Sequence, residues 1–281
     1  MSAIEAKAIA SPAKPTAKNQ PGRDPAGRPP AVNDKFPSPP PTKETSKGHH
    51  VNGFPEPKMP ARAILRPVPF VTFEGVEGCG KSTQLTMLAE RLRRAGRSVT
   101  TTREPGGTPI AEKIRSILLD SAHAGLDPIA EWLLIEAARR EHVRVVIRPA
   151  LASGDFLLCD RFSDSTEAYQ SAGRGLDPRW IAEVDARVRD GVTPDLTLVY
   201  DCDPREGLAR ARARNAQSGA AASASGRFEA EDISLHERVR EAFLAIARRE
   251  PERVDVVRVD GDAAAVFEKT WAKIAARFRL A

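Results

Sequence analysis

The chain has 281 residues, of which 41% are hydrophobic and 29% charged, and a formal net charge of +5. Residues 1–69 carry eleven Lys and Arg against five Asp and Glu, a net of +6, which leaves 32 against 33, a net of −1, for the remainder. The basic balance therefore belongs to the N-terminal arm, which argues against a nucleic-acid-binding face on the remaining body. In chain order, that arm comes first: fifteen of the 23 prolines precede Phe70, and residues 1–66 mix Pro, Lys, Ala and Ser with almost no aliphatic periodicity. Such a segment cannot bury enough apolar surface to offset its ordering entropy, so a disordered tail is expected, with the folded domain at 67–281. The opening residues lack the apolar core of a secretory signal, and no run of about 18 apolar residues occurs. Three cysteines, Cys79, Cys159 and Cys202, show neither CxxC nor Cys/His metal spacing. The expectation is a soluble cytoplasmic protein with free thiols.

The stretch Phe70–Thr83, FVTFEGVEGCGKST, fits G-x-x-x-x-G-K-[ST] at Gly75, Gly80, Lys81 and Ser82. An apolar run precedes it and helical periodicity follows, the context that separates a phosphate loop from a chance glycine turn. Its glycines let backbone N–H groups curl around phosphate oxygens, and the following helix aims its positive end at the same anion. Lys81 is expected to reach the β- and γ-phosphates and Ser82 to ligate Mg²⁺.

Further along, short runs rich in Val, Leu, Phe and Thr predict strands at Phe70–Glu74, Ser98–Thr102, Phe156–Asp160, Leu196–Asp201 and Val254–Val259. Enough residues separate them for crossover helices, which predicts an α/β fold: a five-stranded parallel sheet in three layers, with helices on both faces. The first helix, Lys81 to Ala95, puts Leu85, Leu88, Ala89 and Leu92 on one face and stops at Gly96. Pro105-Gly106-Gly107 enforces a turn after the second strand, before a helix bearing Ile110, Ile114, Ile117 and Leu118. Asp127 and Pro128 open the next helix, on which Ile135 and Arg139 lie one turn apart, and Pro149 is expected to kink or divide that segment.

The third strand ends in Asp160-Arg161-Phe162, which in an open parallel sheet points at the crevice holding the phosphate loop. Taken alone, an adjacent Asp-Arg reads more readily as a surface ion pair at a strand end. After the fourth strand, a helix from Asp203-Pro204 carries Arg205, Arg210, Arg212 and Arg214, and a small-residue stretch, Asn215 to Gly226, interrupts it before Arg227. This pattern fits a solvated face or a mobile lid over a triphosphate.

Taken together and in order, GVEGCGKST, TREPGGT, Ala137-Ala138-Arg139, DRFSDSTEAYQ, PDLTLVYD and the arginine-rich helix resemble the bacterial type of thymidylate kinase over residues 69–279. The resemblance implies the P-loop nucleoside monophosphate kinase fold, with a lid at about 204–232. It implies transfer of a phosphoryl group from ATP to dTMP with Mg²⁺ on a homodimer, with no membrane or nucleic-acid partner for the folded domain. By position it implies that Gly75, Val76, Glu77, Gly78, Cys79, Gly80, Lys81, Ser82 and Thr83 hold the nucleotide. The implied acceptor residues are Arg103, Ile135, Arg139, Arg161, Ser165, Tyr169 and Gln170. Catalytic roles fall to Lys81, Glu77, Asp160, Arg161 and the lid arginines Arg214 and Arg227, and the Mg²⁺ ligands are Ser82, Glu77 and Asp160. Three departures stand out. Ile135 occupies the place of an aromatic residue that stacks on thymine, the lid carries the small residues Ala220 to Ser225, and the long N-terminal arm is not part of the family core. The other readings are a P-loop kinase of a different small acceptor, a regulatory nucleotide switch, and an inactive scaffold that recruits partners through its tail; no Asn-Lys-x-Asp guanine-reading motif supports the switch, and the presence of Lys81, Ser82, Asp160 and Arg161 argues against the scaffold.

Overall fold

The computed structural model describes residues 69–217 and 226–280. The expected tail, 1–66, and the small residues 220–225 of the expected lid lie outside the described residues. Five strands, β1 (Phe70–Glu74), β2 (Val99–Arg103), β3 (Phe156–Asp160), β4 (Leu196–Asp201) and β5 (Val254–Arg258), form one parallel sheet in the order β2-β3-β1-β4-β5. The expected sheet is therefore present. β2 sits one residue later than predicted, which brings Arg103 onto the strand end opposite Asp160.

Alternation along the strands explains why both faces are covered. On β1, Val71 and Phe73 join one apolar cluster and Phe70 the other; on β3, Phe156 and Leu158 divide from Leu157 and Cys159 in the same way. Adjacent residues of a strand point to opposite faces, so an unbroken apolar run needs a helical layer on each side. The first face receives α1 (Lys81–Arg94), α8 (Ile233–Arg249) and α9 (Ala263–Phe278), through Leu88, Leu92, Val239, Phe243, Ile246 and Ile274. Leu88 is fully buried there, and truncating it to Ala should cost about 2–5 kcal/mol. The second face is covered by Val143, Ile147 and Ala150.

Helix starts follow local chemistry. Thr108 caps α2 (Pro109–Leu119) by accepting from the Ala111 N–H, and Asp127 caps α3 (Pro128–His142) by accepting from Ile129 and Ala130. The segment before Gly154 is divided around Pro149, as expected. A π-helical turn over Val143–Ile147 leads into α4 (Arg148–Ser153), widening the helix where proline lacks a donor and crowds the preceding carbonyls. β3 is followed by the short α5 (Ser163–Thr166) and a π-helical segment, Glu167–Gly173, and then α6 (Pro178–Arg189). α7 (Pro204–Gln217) is the arginine-rich helix after β4.

One buried polar network fixes the loop after β3 to the sheet. Arg253 donates through both terminal nitrogens to Asp164, at 2.7 and 2.8 Å, and to the Thr197 hydroxyl at 2.8 Å. Thr197 also bonds Thr72, its β1 neighbour in register, at 2.7 Å. Every member is paired, as a buried network must be if it is not to destabilise the fold. No helix among the described residues is long and apolar enough to cross a membrane.

Candidate active site

The phosphate loop leaves β1 between β3 and β4, at the carboxyl edge of the sheet. Gly78 has φ +67°, and a Cβ there would overlap the backbone carbonyl of Gly207 on α7, so only glycine fits. Gly80 precedes α1 with φ +94° and offers no side-chain cap. The first N–H groups of α1 are thus left to a ligand, which is how a helix start binds an anion. Lys81 is buried and donates to the carbonyls of Val76 at 2.7 Å and Gly75 at 3.1 Å.

The end of β3 faces this loop. The Ser82 hydroxyl donates to the Asp160 carboxylate. Arg161 adopts φ +71°, a left-handed backbone that costs free energy for a non-glycine residue. That turn aims its guanidinium inward, where it donates to Ser165 Oγ at 3.0 Å, Tyr169 Oη at 3.1 Å and Glu77 at 3.2 Å. Tyr169 donates to Glu77 at 2.6 Å, and the Arg161 guanidinium lies 5.0 Å from the centre of the tyrosine ring. Burial alone would raise the Glu77 pKa. The hydrogen bond from His236 and the charges of Arg161 and Lys81 overcome it and hold the carboxyl at about 2.

Beneath the turn lies Glu74, at the end of β1 and fully buried. It accepts from the Phe162 N–H and from the Ser165 hydroxyl, both at 2.6 Å. Burial, followed by the charge of Asp164, pushes its pKa up to about 8.

The opposite wall comes from β2 and α2. Arg103 pairs with Glu112 at 2.9 Å, and Arg115 donates to the Pro105 carbonyl at 2.9 Å. Burial and then the nearby charge of Arg103 lower the Arg115 pKa, the sign of cations crowded together. Between the walls is a cavity of about 340 Å³ that Lys81, Ser82, Arg103, Arg115, Asp160 and Arg161 all line. Arg214 of α7 reaches the same cavity, mostly exposed, with only a loose 4.0 Å approach to Glu229.

Most predicted residues converge here: Glu77, Gly78, Gly80, Lys81, Ser82, Thr83, Arg103, Ile135, Asp160, Arg161, Ser165, Tyr169, Gln170 and Arg214 line one cavity. Arg139 lines the cavity, as expected, and its five N–H groups go to Glu104, Glu136, Asp185, the Phe162 carbonyl and Thr166, which braces the cavity wall. Two expectations need correction. Arg227 is buried away from the cavity, bonded to Glu131 and to the Leu118 carbonyl at 3.0 Å. Glu77, expected also as a metal ligand, has both oxygens engaged by Tyr169, Arg161 and His236.

That leaves Ser82 and Asp160 as the converging hard oxygens, a set that suits Mg²⁺, which takes one or two protein oxygens and completes its shell with phosphate and water. Among the described residues no cluster of three His, Cys, Asp or Glu offers a protein-only metal cage. Sequence reasoning missed Arg115, Glu74 and His236; Arg210, read there only as one cation of the arginine-rich helix, donates to the Gly78 carbonyl at 3.1 Å. Arg115 alone left a local trace, as a cation one turn beyond Glu112 on the helix that follows the Pro-Gly-Gly turn.

A parallel sheet with this loop at the end of β1, facing a strand-end Asp-Arg, defines a P-loop nucleotide-binding protein built for phosphoryl chemistry. The comparisons narrow the class. A thymidylate kinase family model matches residues 73–269. The chain is 49% identical over 209 residues to a thymidylate kinase of Magnetococcus marinus, covering 74% of this chain and 96% of that one. It is 51% identical over 189 residues to one of Trichlorobacter lovleyi, covering 67% and 88%. A crystal structure of thymidylate kinase from Ehrlichia chaffeensis superposes with a TM-score of 0.59 at 34% identity, covering 74% of this chain and 98% of that one. The chain belongs to the thymidylate kinase family.

Proposed function

We propose that the protein transfers the γ-phosphoryl group of ATP to dTMP, giving dTDP and ADP. The observation that carries this reading is one cavity with a phosphate loop on one side and Arg103, Arg115 and Arg161 on the other. Two anions can therefore meet end to end. The second pKa of a phosphate monoester is about 6, so the acceptor arrives at neutral pH largely as a dianion and needs no strong general base. Catalysis reduces to holding the two nucleotides together, spreading the developing charge and excluding water.

The roles follow from the chemistry of each group. Lys81 exchanges its loop carbonyls for the donor phosphates, and the free N–H groups of α1 hold the same oxygens. Arg161, Arg103 and Arg115 receive the acceptor phosphate, while Glu77 and Tyr169 orient the acceptor. Ser82 and Asp160 would hold Mg²⁺, which would neutralise charge on the transferring group. Arg214, on the lid that spans about 204–232, supplies the mobile cation.

Self-association into a homodimer is part of the same proposal. Ile110 and Ile117 on α2 and Ile129 and Leu133 on α3 are exposed apolar side chains on two helices that pack together. Light scattering on the purified chain tests this, and a monomer would refute it. A cytoplasmic site of action fits a reaction that draws on cellular ATP.

The deciding experiment is an ADP-release assay with ATP and Mg²⁺ against dTMP, dUMP, UMP, CMP and AMP. Greatest kcat/KM for dTMP, with dTDP as product, is expected. Preference for another monophosphate would assign the same machinery to a different acceptor.

A further inference from the structure

His236, in the first turn of α8, is fully buried. Its Nδ1 lies 3.1 Å from Glu77 Oε2, while the other oxygen of Glu77 accepts from Tyr169 and Arg161. A carboxylate can only accept, so Nδ1 donates. The other ring nitrogen, Nε2, is buried and has no hydrogen-bond partner among the described residues. An unpaired buried nitrogen costs stability, and a leucine of similar volume would avoid that cost. The single polar service of this imidazole is thus its bond to Glu77.

The neighbourhood links that bond to the lid. Phe228, at the trailing end of the lid, packs edge-on against the Tyr169 ring at 5.9 Å, and Phe243 of α8 packs against the same ring at 6.3 Å. Phe228 and His236 therefore grip the Glu77–Tyr169 pair from the trailing end of the lid and from the helix that follows it. Glu77 sits on a loop rich in glycine, where a carboxylate held by two donors could still swing. A third donor from a packed helix fixes its plane.

We infer that His236 is a positioning residue for the acceptor nucleotide, fixing the carboxylate of Glu77 and joining the acceptor side of the cavity to the end of the lid. This rests on the proposed acceptor-side role of Glu77.

The test compares the full chain with His236→Asn, His236→Gln and His236→Leu, and with Glu77→Gln in parallel. The amide nitrogen of Asn reaches the place of Nδ1, whereas that of Gln reaches the place of Nε2. Leu and Gln should raise KM for dTMP about tenfold, the scale of a lost hydrogen bond to a charged group, with KM for ATP changed less than about twofold. Asn should restore most of the dTMP affinity. Equal KM for the Asn and Gln variants overturns the inference, even if the Leu variant fails to fold. So does a wild-type KM in all His236 variants while Glu77→Gln is impaired, a result that leaves the reading of Glu77 intact. Unimpaired Glu77→Gln removes that reading and this inference with it.

Discussion

The Ser82 hydroxyl donates to the Asp160 carboxylate across 78 positions of sequence, joining the first turn of α1 to the end of β3. Pairing of β1 with β3 in parallel register, Phe73 opposite Asp160, brings the two together. Both are accessible from the cavity, so the pair costs little to break and its value lies in what it can ligate. Asp160→Asn keeps the shape and removes the charge. It should shift the Mg²⁺ concentration for half-maximal rate upward by about 10–100-fold, the usual effect of losing a group that supports a metal, with Tm nearly unchanged. A Mg²⁺ titration of initial rates checks it; an unmoved midpoint would separate Asp160 from the metal.

The two arginines of the proposed lid should part company. Arg214 stands exposed at the cavity, and Arg214→Ala should lower kcat on the order of 10³-fold, the lower range for an arginine that stabilises phosphoryl transfer, with little change in KM for dTMP. Arg227 is buried against Glu131, so Arg227→Ala leaves a carboxylate short of one partner in the interior. Its cost should appear as about 3 kcal/mol of stability, softened because Arg174 and Gln170 still bond Glu131. Steady-state kinetics beside thermal unfolding distinguishes the two outcomes. Matching kinetic defects with matching Tm values would return Arg227 to the reaction.

What the sequence made legible was whatever chemistry acts over a few residues. Gly75, Gly80, Lys81 and Ser82 announce the phosphate loop because an anion cradle must be built from contiguous backbone. Asp127 and Pro128 announce a helix start for the same local reason. Glu131 gave no such sign. It reads as one more helical glutamate, yet it is fully buried and accepts from Gln170, Arg174 and Arg227, the last 96 positions away. Arg139 was legible only in part: its motif places it at the cavity, but only the packed structure brings in Glu104 and Asp185 as partners for its donors. The raised pKa of Glu74 likewise depends on burial and on Asp164, neither of which spacing records.

Ile135 is buried and lines the cavity, at the place where an aromatic ring would be expected. An aliphatic side chain buries area without offering a face to a base. Ile135→Phe should add about 0.5–1.5 kcal/mol of stacking beyond area burial, lowering KM for dTMP roughly 2- to 12-fold without raising kcat. Titration of dTMP at saturating ATP measures this. An unchanged or higher KM would mean that the ring overfills the wall, as added volume in a packed site often does.

Glu74 predicts an unusual pH dependence of stability. Its folded pKa of about 8 lies above its ordinary value of 4.5, so the native state keeps a proton that the unfolded chain releases. The stabilisation is complete below about 4.5 and is lost as pH rises toward 8, because over that window the folded form binds more protons. Glu77 acts in the opposite sense: its pKa of about 2 contributes stability above 4.5 that disappears as pH falls toward 2. Glu74→Gln preserves an oxygen for the Phe162 N–H and an amide for Ser165 and cannot ionise. Thermal unfolding between pH 5 and 8 should therefore show Tm of the natural chain falling relative to the variant, with the gap widening toward pH 8. Parallel Tm curves across that range would mean that Glu74 ionises near its ordinary value despite its burial.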